Sequence, residues 1–426
     1  MACADAAQTQ SQRMGHMTRR GFLRVGGLTL AALAAADPLG WVMPEVNAAA
    51  APGSPSPGAA PRRLIVLELN GGNDGLNTLI PYGLGRYYDL RTRVGVEQAR
   101  VLPLDKTWGL HPSLVHLHAR AKAGQVTFVH GVGVERIADL SHFSMQALWR
   151  AGDQDGALAG ASGWAGRLVT ALGGVAAPVG GLSIASAPSP LILDADARTA
   201  AAADAYQGQF AFPDGQADRL RRALAAMSQA DSADAPLLGM ARHGLDGTFA
   251  IHDMCASLGD PASGYPASDL GRALAFSAQL LGAQPGLRVI HVPVPLDFDT
   301  HEGQPRRQAA NLAAIDTALE AFLTDLQRRG LAASTAIMAT SEFGRRVAEN
   351  GSLGSDHGGA NTLFVIAPGM RAPMVGTPPA LERLDDDGNL VPTLSYRDYL
   401  ATAIEGWLGV PAGTVLSGSR PLSLWS

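Results

Sequence analysis

Leu64-Ile65-Val66-Leu67-Glu68-Leu69 runs directly into Asn70-Gly71-Gly72-Asn73-Asp74-Gly75-Leu76-Asn77. The first stretch is apolar on both alternating sets of positions, as a strand covered by helices on both faces must be. The second carries the glycines, Asn and Asp of a tight loop. Four more runs of the same kind follow, Val126 to Val129, Leu287 to Val294, Thr335 to Met338 and Leu363 to Ile366. Helical spacing fills the gaps: Pro112 to Ala123, Ser141 to Ala151, and Arg307 to Arg329 up to the stop at Gly330. A last amphipathic helix is expected over Tyr396 to Leu408. Strand and helix in alternation predict an α/β fold, a three-layer sandwich with a central, largely parallel sheet. No repeat of fixed period is visible, which disfavours a solenoid or propeller.

Outward from this core, the chain of 426 residues begins with an address. Thr18-Arg19-Arg20-Gly21-Phe22-Leu23-Arg24 sets an arginine pair beside Phe and Leu, and the apolar run Val25 to Ala36 ends at Asp37-Pro38. That run falls short of the roughly twenty apolar residues of a membrane span. With the small residues Ala48-Ala49-Ala50 it reads as a cleavable twin-arginine (Tat) signal over 1–50, starting at Met1 or Met17. The expectation is export by the Tat translocase to the periplasm or beyond, with no stable membrane span. Residues 51–61 have the composition of a flexible tether, and 62–426 form the α/β domain, with an insertion or cap over 185–267 that includes a helix from Gln216 to Met227.

Net charge is −5 and the mature part has no Lys/Arg run, so nucleic acid is excluded as a partner and a small-molecule or polymer ester substrate is expected. The two cysteines are Cys3, inside the signal, and Cys255, so the mature chain cannot form an internal disulfide. Tat cargo folds before transport, which suits a site loaded with metal in the cytoplasm.

In an open α/β sheet, ligands sit beyond the carboxyl ends of the strands, and in this sequence those positions are polar. Asp74 lies in the first loop and can coordinate a hard cation. Ser141 opens a helix beside His142, where it is either a plain cap or a nucleophile. Asp297-Phe298-Asp299-Thr300-His301 brings two carboxylates and an imidazole into five residues, a set suited to zinc, manganese or iron. Ser341-Glu342-Phe343-Gly344-Arg345-Arg346 places a carboxylate and an oxyanion-binding Arg after the fourth strand. Ser355-Asp356-His357-Gly358-Gly359 sets another imidazole beside a carboxylate just before the last strand. Three such clusters point to one shared site, with Ser141 and Arg345 as candidate catalytic groups and Asp74, Asp297, Asp299, His301, Glu342, Asp356 and His357 as candidate ligands.

These blocks, with Gly163-Trp164 before Gly166-Arg167 and Trp149 after Ser141-His142-Phe143, resemble the domain of unknown function 1501 family over nearly all of the mature chain. That family in turn resembles the alkaline phosphatase and sulfatase superfamily. The resemblance implies an alkaline phosphatase-like fold and a metal-dependent hydrolase site at the strand ends, holding a divalent ion, zinc or manganese first. Asp299 or Asp297, with His301 and His357, would bind one metal, and Asp74 or Asn70, Ser141 and Glu342 the other. Phe343 stands where the superfamily commonly has His, and a phenyl ring binds no zinc, so either that metal is absent or His142 or another group replaces the missing ligand. No Cys-x-Pro-x-Arg sulfatase motif surrounds Cys255. The expected function is an exported metal-dependent hydrolase of phosphate or sulfate esters, using a metal-activated Ser or water. The alternative is a non-catalytic binding or assembly protein on the same scaffold. A Ser-His-Asp esterase is disfavoured, because no Gly-x-Ser-x-Gly elbow surrounds Ser141.

Overall fold

In the first expected strand, Arg63–Glu68 (β1), every residue is buried, because apolar side chains leave the pleat toward both faces. The computed structural model describes residues 60–135, 139–153, 162–173, 179–194, 197–204 and 249–425, with a few single positions between 219 and 247. The expected signal, and most of the helix expected over Gln216 to Met227, lie outside the described residues.

The other main strands are Val126–Gly133 (β2), Gly181–Ser183 (β3), Thr199–Ala201 (β4), Val289–Pro293 (β5), Thr335–Thr340 (β6), Ala360–Ile366 (β7), Met374–Val375 (β8) and Leu394–Ser395 (β9). They form one sheet in the order β8-β2-β7-β6-β1-β5-β3-β4, with β9 also pairing β2. β1 pairs parallel with β5 (Leu64 opposite Val289) and with β6 (Leu64 opposite Ala336). β3 is parallel to β4 and β5, and β8 and β9 are parallel to β2. β7 alone runs antiparallel, against both β2 and β6. The expected sheet, largely parallel, is therefore what forms, and the reversal of β7 is the feature the sequence did not announce. β3 and β4 also escaped the reading: Gly181-Leu182-Ser183 and Thr199-Ala200-Ala201 carry too few β-branched or aromatic residues to signal a strand. β4, the edge strand, lies within the segment read as an insertion.

Period-2 alternation splits the core between the two faces. Ile65, Leu67, Phe128, Ile290, Val292, Ile337 and Phe364 pack on one side. There they meet Val115–Lys122 (α2), Asp269–Ala283 (α5) and Gln304–Arg328 (α6). Leu64, Val66, Val129, Val289, Met338 and Val365 face the other side. They pack against His142–Ala151 (α3), Trp164–Ala171 (α4) and Tyr396–Ala401 (α7), which continues as a π-helical turn over Thr402–Trp407. The result is the three-layer α/β sandwich. Among the described residues no helix is long and apolar enough to cross a membrane.

The direction of β7 places the site. Residues after β1, β2, β5 and β6 leave the sheet at its carboxyl edge, and because β7 is reversed, the residues entering it arrive at that same edge. Five neighbouring strands therefore deliver all of the polar clusters to one place.

Candidate metal centre

The loop after β1 forms the floor. Gly71 and Gly72 hold φ of +105° and +72°, and a Cβ on Gly71 would lie 2.4 Å from the Asp299 nitrogen, so only glycine lets the two loops approach this closely. A Cβ on Gly72 would strike the Phe343 ring at 2.2 Å. Arg345 locks this contact. Its Nε donates to the Gly72 carbonyl (2.8 Å), its Nη1 to the Ser355 carbonyl (2.8 Å), and its Nη2 to the carbonyls of Gly71 and Phe298 and to Asp299 Oδ1 (2.6 Å).

Asp299 is the hub. Its Oδ1 lies 3.1 Å from His301 Nε2 and 3.3 Å from His357 Nε2, and its Oδ2 lies 3.5 Å from His142 Nε2. His301 Nε2 and His357 Nε2 are themselves 3.0 Å apart. Each ring is held from behind through Nδ1: His142 by Glu342 Oε1 (2.9 Å), His301 by Asp356 Oδ1 (3.1 Å) and His357 by the Leu140 carbonyl (2.6 Å). An ionised carboxylate and a carbonyl only accept, so each Nδ1 carries a hydrogen and each ring turns its Nε2 toward Asp299. Ligand atoms around a tetrahedral zinc with bonds of roughly 2.0–2.1 Å sit about 3.3 Å apart, so the spacing fits a metal. The backing groups are the outer shell that fixes the tautomer of a ligating histidine. Ligand atoms of His142, Asp299 and His357 all lie within 4.8 Å of one another.

The electrostatics agree with this geometry. Burial pushes the Asp299 carboxyl up, but the bond to Arg345, its charge and the nearby His301 and His142 outweigh that and hold it below the ordinary range. The Glu342 hydrogen bond raises the His142 imidazole against the effect of burial, and burial lowers that of His357. Glu342 is buried and accepts from Gly71 N–H (2.8 Å) and Gln146 Nε2 (3.3 Å) as well as from His142; these bonds overcome the upward push of burial and keep it ionised.

Several expected roles change. Asp74 is fully buried, caps Gly75–Thr78 (α1) through the N–H groups of Leu76 and Asn77, and pairs with Arg91 at 2.6 Å, so its oxygens are occupied and it is no ligand. Asp297 points outward, two-thirds exposed, to Arg307 (2.6 Å). Glu342 and Asp356 back the ligands instead of joining them. Arg345 is completely buried, with Nε, Nη1 and Nη2 each bonded to backbone carbonyls or to Asp299, so it clamps the loops and is shielded from an anion arriving from solvent. Ser141 caps α3 by accepting from Ser144 N–H and lies 3.0 Å from Ser144 Oγ, which is the plain-cap alternative. Phe343 lies under the rings of His142 and His357, with centroids 4.9 and 4.2 Å away. Without the Asp74 and Ser141 groups, one candidate position remains, and His142 joins Asp299 and His357 in the group that could hold a metal ion.

His142 was the residue to find. It begins a polar stripe on α3 at four-residue spacing: His142 toward Asp299 and Glu342, Gln146 toward Asn70 and Glu342, and Arg150 onto Glu68 (2.8 and 3.2 Å). Glu68 also meets His291 Nε2 at 3.0 Å, and His291 Nδ1 lies 3.1 Å from Ser183 Oγ. Burial raises the Glu68 carboxyl, but His291 and Arg150 overcome it and bring its pKa down to about 2.

A three-layer α/β scaffold with a His/Asp cluster at the carboxyl edge is the class that fold and site define. The chain belongs to the family described as protein of unknown function (DUF1501), which it matches over residues 61–381. No curated protein sequence matches it. Among solved structures it is similar to Ps i-CgsB in complex with k-i-k-neocarrahexaose (11% identity, 84% of this chain, 75% of that one, TM-score 0.40). It is also similar to the lipoteichoic acid synthase LtaP from Listeria monocytogenes (10%, 87% and 77%, TM-score 0.38). A third is the phosphonate monoester hydrolase SpPMH from Silicibacter pomeroyi (13%, 85% and 76%, TM-score 0.36). At this level of likeness no residue role passes from them to this chain.

Proposed function

We propose that this protein is an exported, metal-dependent hydrolase of phosphate or sulfate esters, with one divalent cation, zinc or manganese, held by His142, Asp299, His301 and His357. The observation that carries the reading is the convergence of three Nε2 atoms on one carboxylate, each ring anchored through Nδ1. Bound there, the cation would supply Lewis acidity and lower the pKa of a water molecule. The chain's own part is to orient three imidazoles, keep Asp299 ionised through Arg345, and exclude water from one wall of the site with the Phe343 ring. Ser141 has the bonds of a cap, so the nucleophile in this reading is water. Export follows the Tat signal read from residues 1–50, toward the periplasm or the medium.

A second reading, a non-catalytic binding or assembly protein that keeps the cation for structure, is favoured by one specific observation: Arg345 is completely buried, with Nε, Nη1 and Nη2 each bonded to the protein's own acceptors. Two measurements separate these readings. Elemental analysis of the exported protein should find about one equivalent of transition metal, and zinc at ~100 Kd should stabilise it by about 2.7 kcal/mol. Absence of metal, with no change in melting temperature on adding Zn²⁺ or Mn²⁺, overturns both. Metal binding without turnover of any phosphate or sulfate ester, and with stability lost in His301→Ala, leaves the second.

A further inference from the structure

A row of polar side chains crosses the otherwise apolar layer beneath α3. Ser183, His291 and Glu68 come from β3, β5 and β1, and all three are buried. Ser183 stands opposite His291 in the pairing of β3 with β5. The side chains meet in sequence: Ser183 Oγ lies 3.1 Å from His291 Nδ1, and His291 Nε2 lies 3.0 Å from Glu68 Oε2. Ser183 Oγ also accepts from Ser189 N–H (3.2 Å). The row ends on the helix, where Arg150 donates from Nε and Nη2 to the two Glu68 oxygens. Taking such charges out of water is costly, and an apolar row of similar volume would serve stability as well or better. What a directional pair adds is position. The apolar contacts of Met145 and Trp149 under the same helix are not directional and set its rotation only coarsely.

The spacing of the ties matches the two elements. Gln146 and Arg150, four residues apart on α3, are separated by about 6 Å along its axis. Glu68 and Asn70, two residues apart in the chain leaving β1, are separated by about 6.6 Å. Gln146 Nε2 donates to Asn70 Oδ1 (3.3 Å) while Arg150 holds Glu68, so the stripe on the helix runs in step with the strand, and its next member is His142. A slip of one residue would carry the helix about 1.5 Å along and turn it by about 100°, taking His142 off Glu342 and Asp299. At the far end of α3, Arg167 and Arg397 donate to the carbonyls of Ala151 and Gly152 (2.7 and 3.0 Å). Helix carbonyls point along the axis, so these bonds resist sliding more than turning. Resting on the metal reading, we propose that Arg150 and Glu68 are positioning residues: the buried pair, braced by His291, sets the rotation of α3 and so brings His142 Nε2 to the cation site about two helical turns away.

A double-mutant cycle gives the test. Zinc affinity of the mature protein is measured by competition with a chromophoric chelator for wild type, Arg150→Met, His142→Ala and the double variant. The expected result is a loss of about tenfold or more in Arg150→Met. Added to His142→Ala, the same change should cost less than about twofold more, because the ligand it positions is already gone. In cobalt-loaded protein, the visible absorption of Arg150→Met should move toward that of His142→Ala. Arg150→Lys, which keeps a charge beside Glu68, should recover part of the loss, and it takes the place of Arg150→Met in the cycle if that variant does not fold. Wild-type affinity in Arg150→Met, or an equal loss in both backgrounds, overturns this inference while the metal reading stands. A wild type that binds no zinc overturns the metal reading and this inference with it.

Discussion

Replacing Arg345 with Met decides whether this arginine is a clamp or part of the chemistry. The side chain is completely shielded from solvent and engages Gly71, Gly72, Phe298, Ser355 and Asp299. Met fills much of the same volume but donates no hydrogen bond, so four carbonyls lose a partner and Asp299 loses its counter-charge. The Asp299 end of the pair is a third exposed and its loss is discounted for solvent, but carbonyls left unpaired cost about 1–3 kcal/mol each, so a total of about 3–5 kcal/mol is expected. For a domain of this size the unfolding entropy at the midpoint is ~0.7 kcal/mol per kelvin, so the melting temperature should fall by about 4–7 °C. The assay is thermal unfolding followed by circular dichroism on metal-loaded wild type and Arg345→Met, with the zinc content of each measured. A variant that melts with the wild type and keeps its zinc, yet no longer turns over or binds the anionic ester, would refute the clamp and restore the oxyanion role.

Asp356→Ala removes the carboxylate behind His301 Nδ1 and should weaken zinc affinity ~10–100-fold. Because the Asp356 side chain is half exposed, its melting temperature without metal should hardly move; competition against a chromophoric chelator reads the affinity. Asp297→Ala should leave zinc affinity unaltered and alter stability by about 0–1 kcal/mol, since it severs an exposed pair with Arg307 and one exposed hydrogen bond from Asp299 N–H (2.9 Å); a tenfold loss of zinc would put Asp297 back in the site. Glu68 gives the pH dependence. Its folded pKa, about 2, lies below the ordinary value of 4.5, so its contribution is complete above pH 4.5 and disappears as pH falls toward 2. The stability gap between wild type and Glu68→Gln should therefore be widest at neutral pH and close by about pH 2, and a gap constant across that range contradicts the assignment.

The strands with dense Val, Ile and Phe were legible because burial on both faces leaves a compositional mark, and β1, β2, β5, β6 and β7 all carry it. The direction of β7 was not legible, since a strand covered on both faces reads the same either way. At the site, the sequence showed which groups reach the carboxyl edge but not which atoms face one another. Asp74 and Asp299 are both carboxylates at strand ends; one is turned inward to Arg91 and the other to three imidazoles, and only the packing of Gly71 on the Asp299 backbone separates them. Glu342 was found as a member of the site, but its place behind His142 depends on the rotation of α3, set by Gln146 and Arg150. The same stripe, read at intervals of four, would have brought His142 forward as a ligand.

The ligand atoms come from three widely separated connections, after β2, after β5 and ahead of β7. No local segment of chain can gather them, so the site exists only once five strands lie in their final order. A cation captured there recognises the finished sheet and has little hold on the transition state that precedes it. On the proposed metal reading, its kinetic effect would be to slow unfolding and leave the rate of folding unchanged, so such a cation would act as a latch on a completed molecule and not as a nucleus for building one.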